Sequence, residues 1–201
     1  MRRLGLLRWW SHALACGALL DDLVAAVATI GSPAQFDAPG LDFSTGWPDE
    51  AREDHELFLA DRAAWELQGE QQREELLAMS AGELAEEWST DKSPVDSAVL
   101  RGEFGVWLHR AAQAAVASSV GGWTDDDIAC SHSPWGFEPA SISIPVKVWH
   151  GLEDRFVPFA HGRWLADAIP VAQAELRDDD GHFTVVARRI GEVHEWLARY
   201  L

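Results

Sequence analysis

Two side chains near the C-terminal end of the sequence could work together as an acid–base pair. Asp154 lies in HGLEDRFVP, just past an apolar run that ends near Trp149, and His182 lies in DDDGHFT, just past the next strand-like run. Where two parallel strands end at one edge of a sheet, a carboxylate can orient an imidazole and stabilise the charge it takes up as a general base. A simpler interpretation also stands, in which Asp154 is a turn or helix-capping residue and His182 a surface histidine.

Alternating strands and helices surround these two residues. A short apolar run that ends at a glycine predicts a strand, and the run that ends at Pro170 predicts a helix. A second strand and a turn follow, and an amphipathic helix closes the chain. These segments are residues 144–151, 159–169, 172–181 and 185–201, and the inward side chains predicted for the last helix are Val186, Ile190, Val193 and Leu197. Strands that alternate with helices of this length form a parallel sheet of right-handed βαβ units, covered on both faces.

The beginning of the chain supplies one more strand. VAAVATI (24–30) is a short apolar run that Gly31 ends, as is typical of a buried parallel strand, and the stretch from Ser11 to Asp22 predicts the helix before it. A loop rich in Pro, Gly and Asp follows from Pro33 to Pro48. The predicted fold class is therefore α/β, with about three strands and flanking helices.

Residues 49–120 have a helical period of hydrophobic residues. Ser80-Ala81-Gly82-Glu83 predicts a capping box that begins one helix. The apolar faces predicted for two others are Leu57, Ala60, Ala64 and Leu67, and Phe104, Trp107, Leu108, Ala111, Ala112 and Ala115. This middle part is therefore a helical insertion, and its acidic runs are predicted to be solvated surface. The chain is divided into residues 1–47, a helical part over 48–135, called the cap below, and residues 136–201.

Composition limits the possible partners. The 201 residues carry a net charge of −17 with a pI near 4.7, so a nucleic acid backbone or an anionic membrane would repel the chain. Cys16 and Cys130 have no metal-binding or CxxC spacing, which is typical of a reducing cytoplasm, and the histidines lack HExxH spacing. The sequence thus predicts no metal, no cofactor, no nucleic acid and no membrane partner.

The first twenty residues, MRRLGLLRWWSHALACGALL, could be taken for an export signal. A signal peptide needs an uninterrupted apolar stretch of about 7 to 15 residues, and Arg8, Ser11 and His12 interrupt this one. No other segment approaches the roughly 18 apolar residues of a membrane span. We therefore expect a cytoplasmic protein.

The last third of the sequence resembles the closing third of α/β-hydrolases. The segments that carry the resemblance are IPVKVWHGLEDRFVP, HGRWLADAIP and DDDGHFT with the final amphipathic helix, and HALACGALLDDLVAAVATIGSPAQFDAPGLDF resembles the helix and strand that follow the nucleophile elbow. In that family the chain order is Ser, Asp, His. The resemblance implies that Asp154 is the catalytic acid, that His182 is the base, and that an ester or amide is cleaved through a serine acyl-enzyme.

The family pattern is not met before residue 12. The G-x-S-x-G elbow, the preceding strands and the oxyanion donor they would contribute are absent, and LLRWWS stands where a glycine-rich elbow is expected. Tryptophan has a single codon, TGG, so Trp9-Trp10-Ser11 read one base later gives Gly-Gly. We therefore entertain the hypothesis that an elbow-encoding stretch is read here in the wrong frame.

Two other residues are considered as replacements for the missing nucleophile. Ser11 stands nearest to the expected place but lacks the flanking glycines that allow a sharp turn and a close oxyanion donor. Cys16 lies one or two turns into an apolar helix, where a thiol is usually inert packing. His150, beside Gly151, is predicted to pack at a strand end.

Two functions remain open at this point. The first is a hydrolase that is truncated and inactive as it stands because the serine nucleophile is absent. The second is a non-catalytic protein that self-associates or binds a partner through an exposed edge of the sheet, at residues 24–30, and through the acidic cap. The tryptophans of the cap, among them Trp65 and Trp107, are predicted to be core, and an apolar substrate pocket is the alternative.

Overall fold

Three strands form one parallel sheet in the computed structural model, which describes residues 9–47, 49–89 and 93–201. The strands are β1 (Val27–Ile30), β2 (Val146–Gly151) and β3 (Ala172–Arg177), in the order β1-β2-β3. Val146 of β2 is opposite Val27 on one side and Ala172 on the other. The predicted fold class, a parallel sheet of about three strands with flanking helices, is confirmed.

Most of the helices occupy places that the periodicity predicts, with shifted ends, whereas α7 lies beyond the predicted helical range of 49–120. They are α1 (Trp9–Leu19), α2 (Asp49–Ala60), α3 (Arg62–Ala78), α4 (Ala81–Ser89), α5 (Pro94–Leu100), α6 (Glu103–Ala115), α7 (Gly121–Ser131), α8 (Phe159–Ala168) and α9 (His182–Leu197). Short 3₁₀ turns occupy Pro139–Ser141 and Ala198–Tyr200. The helices α2 to α7 are called the helical insertion below.

The central strand β2 is covered on both faces, as a strand of a parallel sheet requires, whereas no residue of β3 is fully buried. Side chains of successive strand residues point to opposite faces. Val146 and Val148 of β2 therefore pack on one face with Leu14 of α1 and Leu165 of α8. Trp149, one residue further, packs on the other face against α9. The residues of that second cluster are Ala28, Ile30, Trp149, Val185, Val193 and Trp196.

The strand β1 forms one edge of this sheet. Among the described residues it pairs only with β2, yet its four residues are buried, with at most 7% of the surface of any one exposed. Within the predicted edge at residues 24–30, the side chains of 27–30 are therefore not the open surface that the sequence led us to expect, whereas Ala25 is exposed. No helix in the described ranges is long and apolar enough to cross a membrane.

One apolar face predicted for the helical insertion, the face that ends at Leu67, was wrong. Asp61 lies between α2 and α3, and its side chain accepts the N–H of Ala64, so the chain begins a new helix there instead of continuing one face. Leu67 is 62% exposed. The buried residues of α3 are Trp65, Gly69, Gln72 and Leu76.

Two further predictions for the insertion concern the capping box of α4 and the burial of the tryptophans. The capping box at the start of α4 is confirmed, because the Ser80 N–H donates to Glu83 Oε2 at 2.8 Å and the Glu83 N–H donates to Ser80 Oγ at 3.3 Å. Trp65 and Trp88 are buried as predicted, whereas Trp107 is 56% exposed and does not belong to the core.

The prediction for the last helix was also wrong. It begins at His182, three residues before the predicted start, and Ile190 is 37% exposed. Its buried hydrophobic residues are Phe183, Val185, Val193 and Trp196. The first of them faces the helical insertion while the others face the sheet. The predicted stripe missed this because it assumed a single apolar face.

Candidate active site

Asp154 and His182 meet at the carboxyl ends of β2 and β3. The Nδ1 atom of His182 lies 2.8 Å from Oδ2 of Asp154, and both residues are at most 5% exposed. A carboxylate can only accept, so Nδ1 carries the proton and donates it. The Nε2 atom is then the unprotonated ring nitrogen, which is the atom that a general base uses.

The turn after β2 fixes the Asp154 carboxylate. Its Oδ1 atom accepts the N–H groups of Phe156 and Val157, both at 2.8 Å. Burial would raise the pKa of Asp154, but the His182 ring and these hydrogen bonds outweigh it, so the pKa lies below its ordinary value. Asp154 is therefore ionised at neutral pH, as an orienting carboxylate must be.

A second histidine lies against the same carboxylate. The Nε2 atom of His150 donates to the carbonyl of Val157 at 2.9 Å and lies 3.5 Å from Asp154 Oδ2. Burial lowers the pKa of His150, so the fully buried ring is neutral. This agrees with packing at the end of a strand.

Gly31 and Phe156 complete the walls around the His182 ring. Gly31 follows β1 with a φ of +59°, and a Cβ atom there would lie 3.1 Å from Nδ1 of His182 and 3.3 Å from Oδ2 of Asp154. Only glycine combines this backbone conformation with so close an approach. Phe156 stacks on the His182 ring with centroids 5.0 Å apart.

Asp96, which was not among the residues singled out from the sequence, holds the backbone of His182. It lies on α5 of the helical insertion, is 0% exposed, and accepts the His182 N–H on Oδ2 at 2.8 Å. Burial raises its pKa above the ordinary value of an aspartate. One local signal existed: the residue before His182 is a glycine, which has no side chain to cap the helix it precedes.

Among the described residues, neither Ser11 nor Cys16 makes a hydrogen bond to the His182 ring. Ser11 is 4% exposed and its Oγ atom has no hydrogen-bond partner within the described ranges, while Cys16 is exposed. Ser11 instead lines a cavity of about 490 Å³ together with His12 and Cys130. The structure thus brings together Asp154 and His182, but neither Ser11 nor Cys16 with them, and no group of three or more metal-ligating side chains occurs among the described residues.

Comparison with known proteins places this arrangement in a fold. No protein-family model and no curated protein matches the sequence. Solved structures do match. A hydrolase from Pseudomonas aeruginosa has a TM-score of 0.58 at 13% identity, with 96% of this chain and 61% of that chain covered. A thermophilic esterase from Thermogutta terrifontis has a TM-score of 0.55 at 20% identity, with 95% and 62% covered.

A meta-cleavage product hydrolase from Pseudomonas fluorescens is also similar, with a TM-score of 0.52 at 13% identity and with 94% of this chain and 60% of that chain covered. The chain therefore spans about three-fifths of the length of these three proteins. At these identities the likeness establishes the architecture alone. The chain has the α/β-hydrolase fold, over the portion that corresponds to its C-terminal part.

Proposed function

We propose that this chain carries the acid–base half of a serine-hydrolase site for esters or amides. In this proposal His182 takes the proton of the nucleophile on Nε2 and later gives it to the leaving group. Asp154 holds the ring with Nδ1 protonated and stabilises the imidazolium. The observation that carries the proposal is the buried 2.8 Å contact between Asp154 Oδ2 and His182 Nδ1 at two adjacent strand ends.

The proposal assigns the nucleophile to neither Ser11 nor Cys16. The printed sequence contains no G-x-S-x-G, and Ser11 Oγ makes no hydrogen bond in the described structure. We therefore propose that the chain as printed does not turn over substrate above background. A glycine-flanked serine encoded upstream of His12, in the other reading frame, would complete the site.

Resequencing the gene across codons 1–12 and upstream is the first step of the test. Where an upstream frame supplies a glycine-flanked serine joined to His12, the repaired protein is expressed and assayed with p-nitrophenyl esters of graded acyl length, and a fluorophosphonate probe is used to label the serine. We expect His182→Ala and Asp154→Asn each to lower kcat by about 10³-fold or more. His194→Gln, at an exposed histidine of α9, is the matched control and should leave kcat unchanged.

Each of the following results would contradict one part of the proposal. An upstream frame without a glycine-flanked serine, or a repaired enzyme whose kcat survives His182→Ala, would refute the proposal. Activity of the printed chain that disappears on Ser11→Ala would refute the assignment of the nucleophile. The alternative, an interaction protein that uses the edge strand at residues 24–30, is not favoured because the residues of β1 are buried.

A further inference from the structure

One carboxylate from the helical insertion accepts the backbone hydrogen bonds that begin α9. Asp96 Oδ2 accepts the N–H of His182 at 2.8 Å, and Oδ1 accepts the N–H of Phe183 at 3.0 Å and that of Thr184 at 2.9 Å. Oδ1 also accepts the hydroxyl of Thr184 at 2.9 Å. All of these partners donate, so the arrangement is satisfied by an ionised carboxylate.

These bonds account for every N–H that an α-helix leaves without an internal partner at its start. The fourth, from Gly181, donates to the hydroxyl of Thr184. The Val185 N–H then makes the first bond within the helix, to the carbonyl of Gly181 at 3.2 Å. Asp96 thus does for α9 what the side chain of an N-cap residue normally does.

The residue at the N-cap position fits this replacement. A Cβ atom on Gly181 would lie 2.4 Å from Oδ2 of Asp96, which is closer than real contacts allow. Any other residue at 181 would therefore displace the Asp96 carboxylate. Gly181 and Asp96 therefore depend on each other: the missing side chain of the glycine leaves the space that the carboxylate occupies when it caps α9.

A second contact ties the same turn to the insertion. Phe183 is 1% exposed in a cluster with residues of α3 to α6, and its ring stacks on Trp88 with centroids 5.7 Å apart. The backbone N–H of His182 is thus bonded to Asp96, and the next residue along the chain is anchored by its buried ring. Both anchors belong to the helical insertion and neither belongs to the sheet.

We propose that Asp96 is a positioning residue for His182: its hydrogen bonds to the first turn of α9 hold the imidazole with Nδ1 on Asp154 and so couple the helical insertion to the base. This inference rests on the proposed function, in which His182 acts through Nε2. It assigns Asp96 no contact with substrate. A displacement of α5 would move the His182 backbone and disturb the bond to Asp154.

The test uses two variants of the full chain and needs no catalytic activity. Asp96→Asn keeps the size of the side chain and one accepting oxygen, so it can keep the bonds to Phe183 and Thr184 while it loses the bond to the His182 N–H. Asp96→Ala loses all of them. Asp61→Asn and Asp61→Ala are the matched controls, because Asp61 caps α3 through a single bond to the Ala64 N–H at 3.0 Å.

Two NMR measurements report the effect. Amide hydrogen exchange of His182, relative to that of Val193 in the same helix, should accelerate at least about tenfold in D96N and in D96A and stay constant in both Asp61 variants. Long-range ¹H–¹⁵N spectra give the tautomer of the ring. We expect the ratio of the Nε2–H to the Nδ1–H form to rise at least about tenfold in D96N.

The outcomes separate this proposal from the proposed function. If the unaltered chain does not hold His182 as the Nδ1–H tautomer, the function fails. If it does, and folded D96N keeps both that tautomer and the slow exchange of the His182 N–H, the role of Asp96 is refuted and the function stands. Faster exchange with an unchanged tautomer makes Asp96 a structural cap only and also overturns the positioning role. Where D96A does not fold, D96N decides.

Discussion

We predict that the buried histidine His161 makes the stability of the protein depend on pH. It lies in α8, is 1% exposed, accepts the Ala34 N–H on Nδ1 at 3.2 Å and donates from Nε2 to the carbonyl of Phe43 at 3.1 Å. A second proton would lie on Nδ1 and point at the Ala34 N–H, so the protonated ring could not keep this hydrogen bond. Burial lowers the pKa of His161 from 6.5 to about 4.

The sign of the effect follows from proton binding. Between pH 6.5 and about 4 the unfolded chain binds a proton at position 161 that the folded protein does not, so stability falls as the pH falls through this range. At ~1.36 kcal/mol for each pH unit between the two pKa values, the full loss is about 3 kcal/mol, and about 2 kcal/mol of it is reached by pH 4.5.

Urea unfolding at pH 7 and at pH 4.5, followed by tryptophan fluorescence, measures this loss. His161→Gln keeps an acceptor and a donor but cannot take up a proton, so its free energy of unfolding should fall less between the two pH values, by about 2 kcal/mol. His194→Gln, at an exposed position, should fall as much as the unaltered protein. A His161→Gln variant with the same pH dependence as the unaltered chain would show that the reasoning is wrong.

Two further substitutions test the core and the site. Leu165→Ala removes a fully buried side chain beneath β2 and should lower the free energy of unfolding by about 2–5 kcal/mol, whereas Leu23→Ala, at a residue that is 77% exposed, should change it by less than about 0.5 kcal/mol; equal urea midpoints would contradict this. Gly31→Ala places a Cβ atom at a φ of +59° and 3.1 Å from His182 Nδ1, so it should cost about 1–2 kcal/mol and also weaken the bond to Asp154. If His182 keeps the same tautomer in this variant, the site accommodates the added Cβ atom and the prediction is wrong.

Local patterns were enough to predict the sheet and the place where Asp154 and His182 meet. Short apolar runs ended by glycine predicted β1 and β2, and the alternation of strands with helices supplied the third strand; the rule that the carboxyl ends of parallel strands share one edge then brought the two residues together. The predicted ends were shifted because caps and turns decide them. Asp61 divided a face that periodicity treated as continuous, and α9 began at His182 because its first turn is held from outside.

What could not be predicted depends on contacts between distant parts of the chain. Asp96 is one of 33 acidic residues in the sequence, and nothing near it in the chain reveals that it is buried against a helix that begins 86 residues later. The close approach of Gly31 to the His182 ring is equally non-local. Periodicity gives the face of a helix that packs on one partner, and it failed for α9, which packs on two.

The remote cap of α9 also determines when the site can form during folding. A helix capped by its own preceding residue can start as soon as that residue is made, whereas α9 is completed only after a loop of 86 residues has closed onto α5. Such long-range closure is slow compared with the formation of local helices. We therefore expect the pairing of His182 with Asp154 to form later in folding than the local helices of the chain.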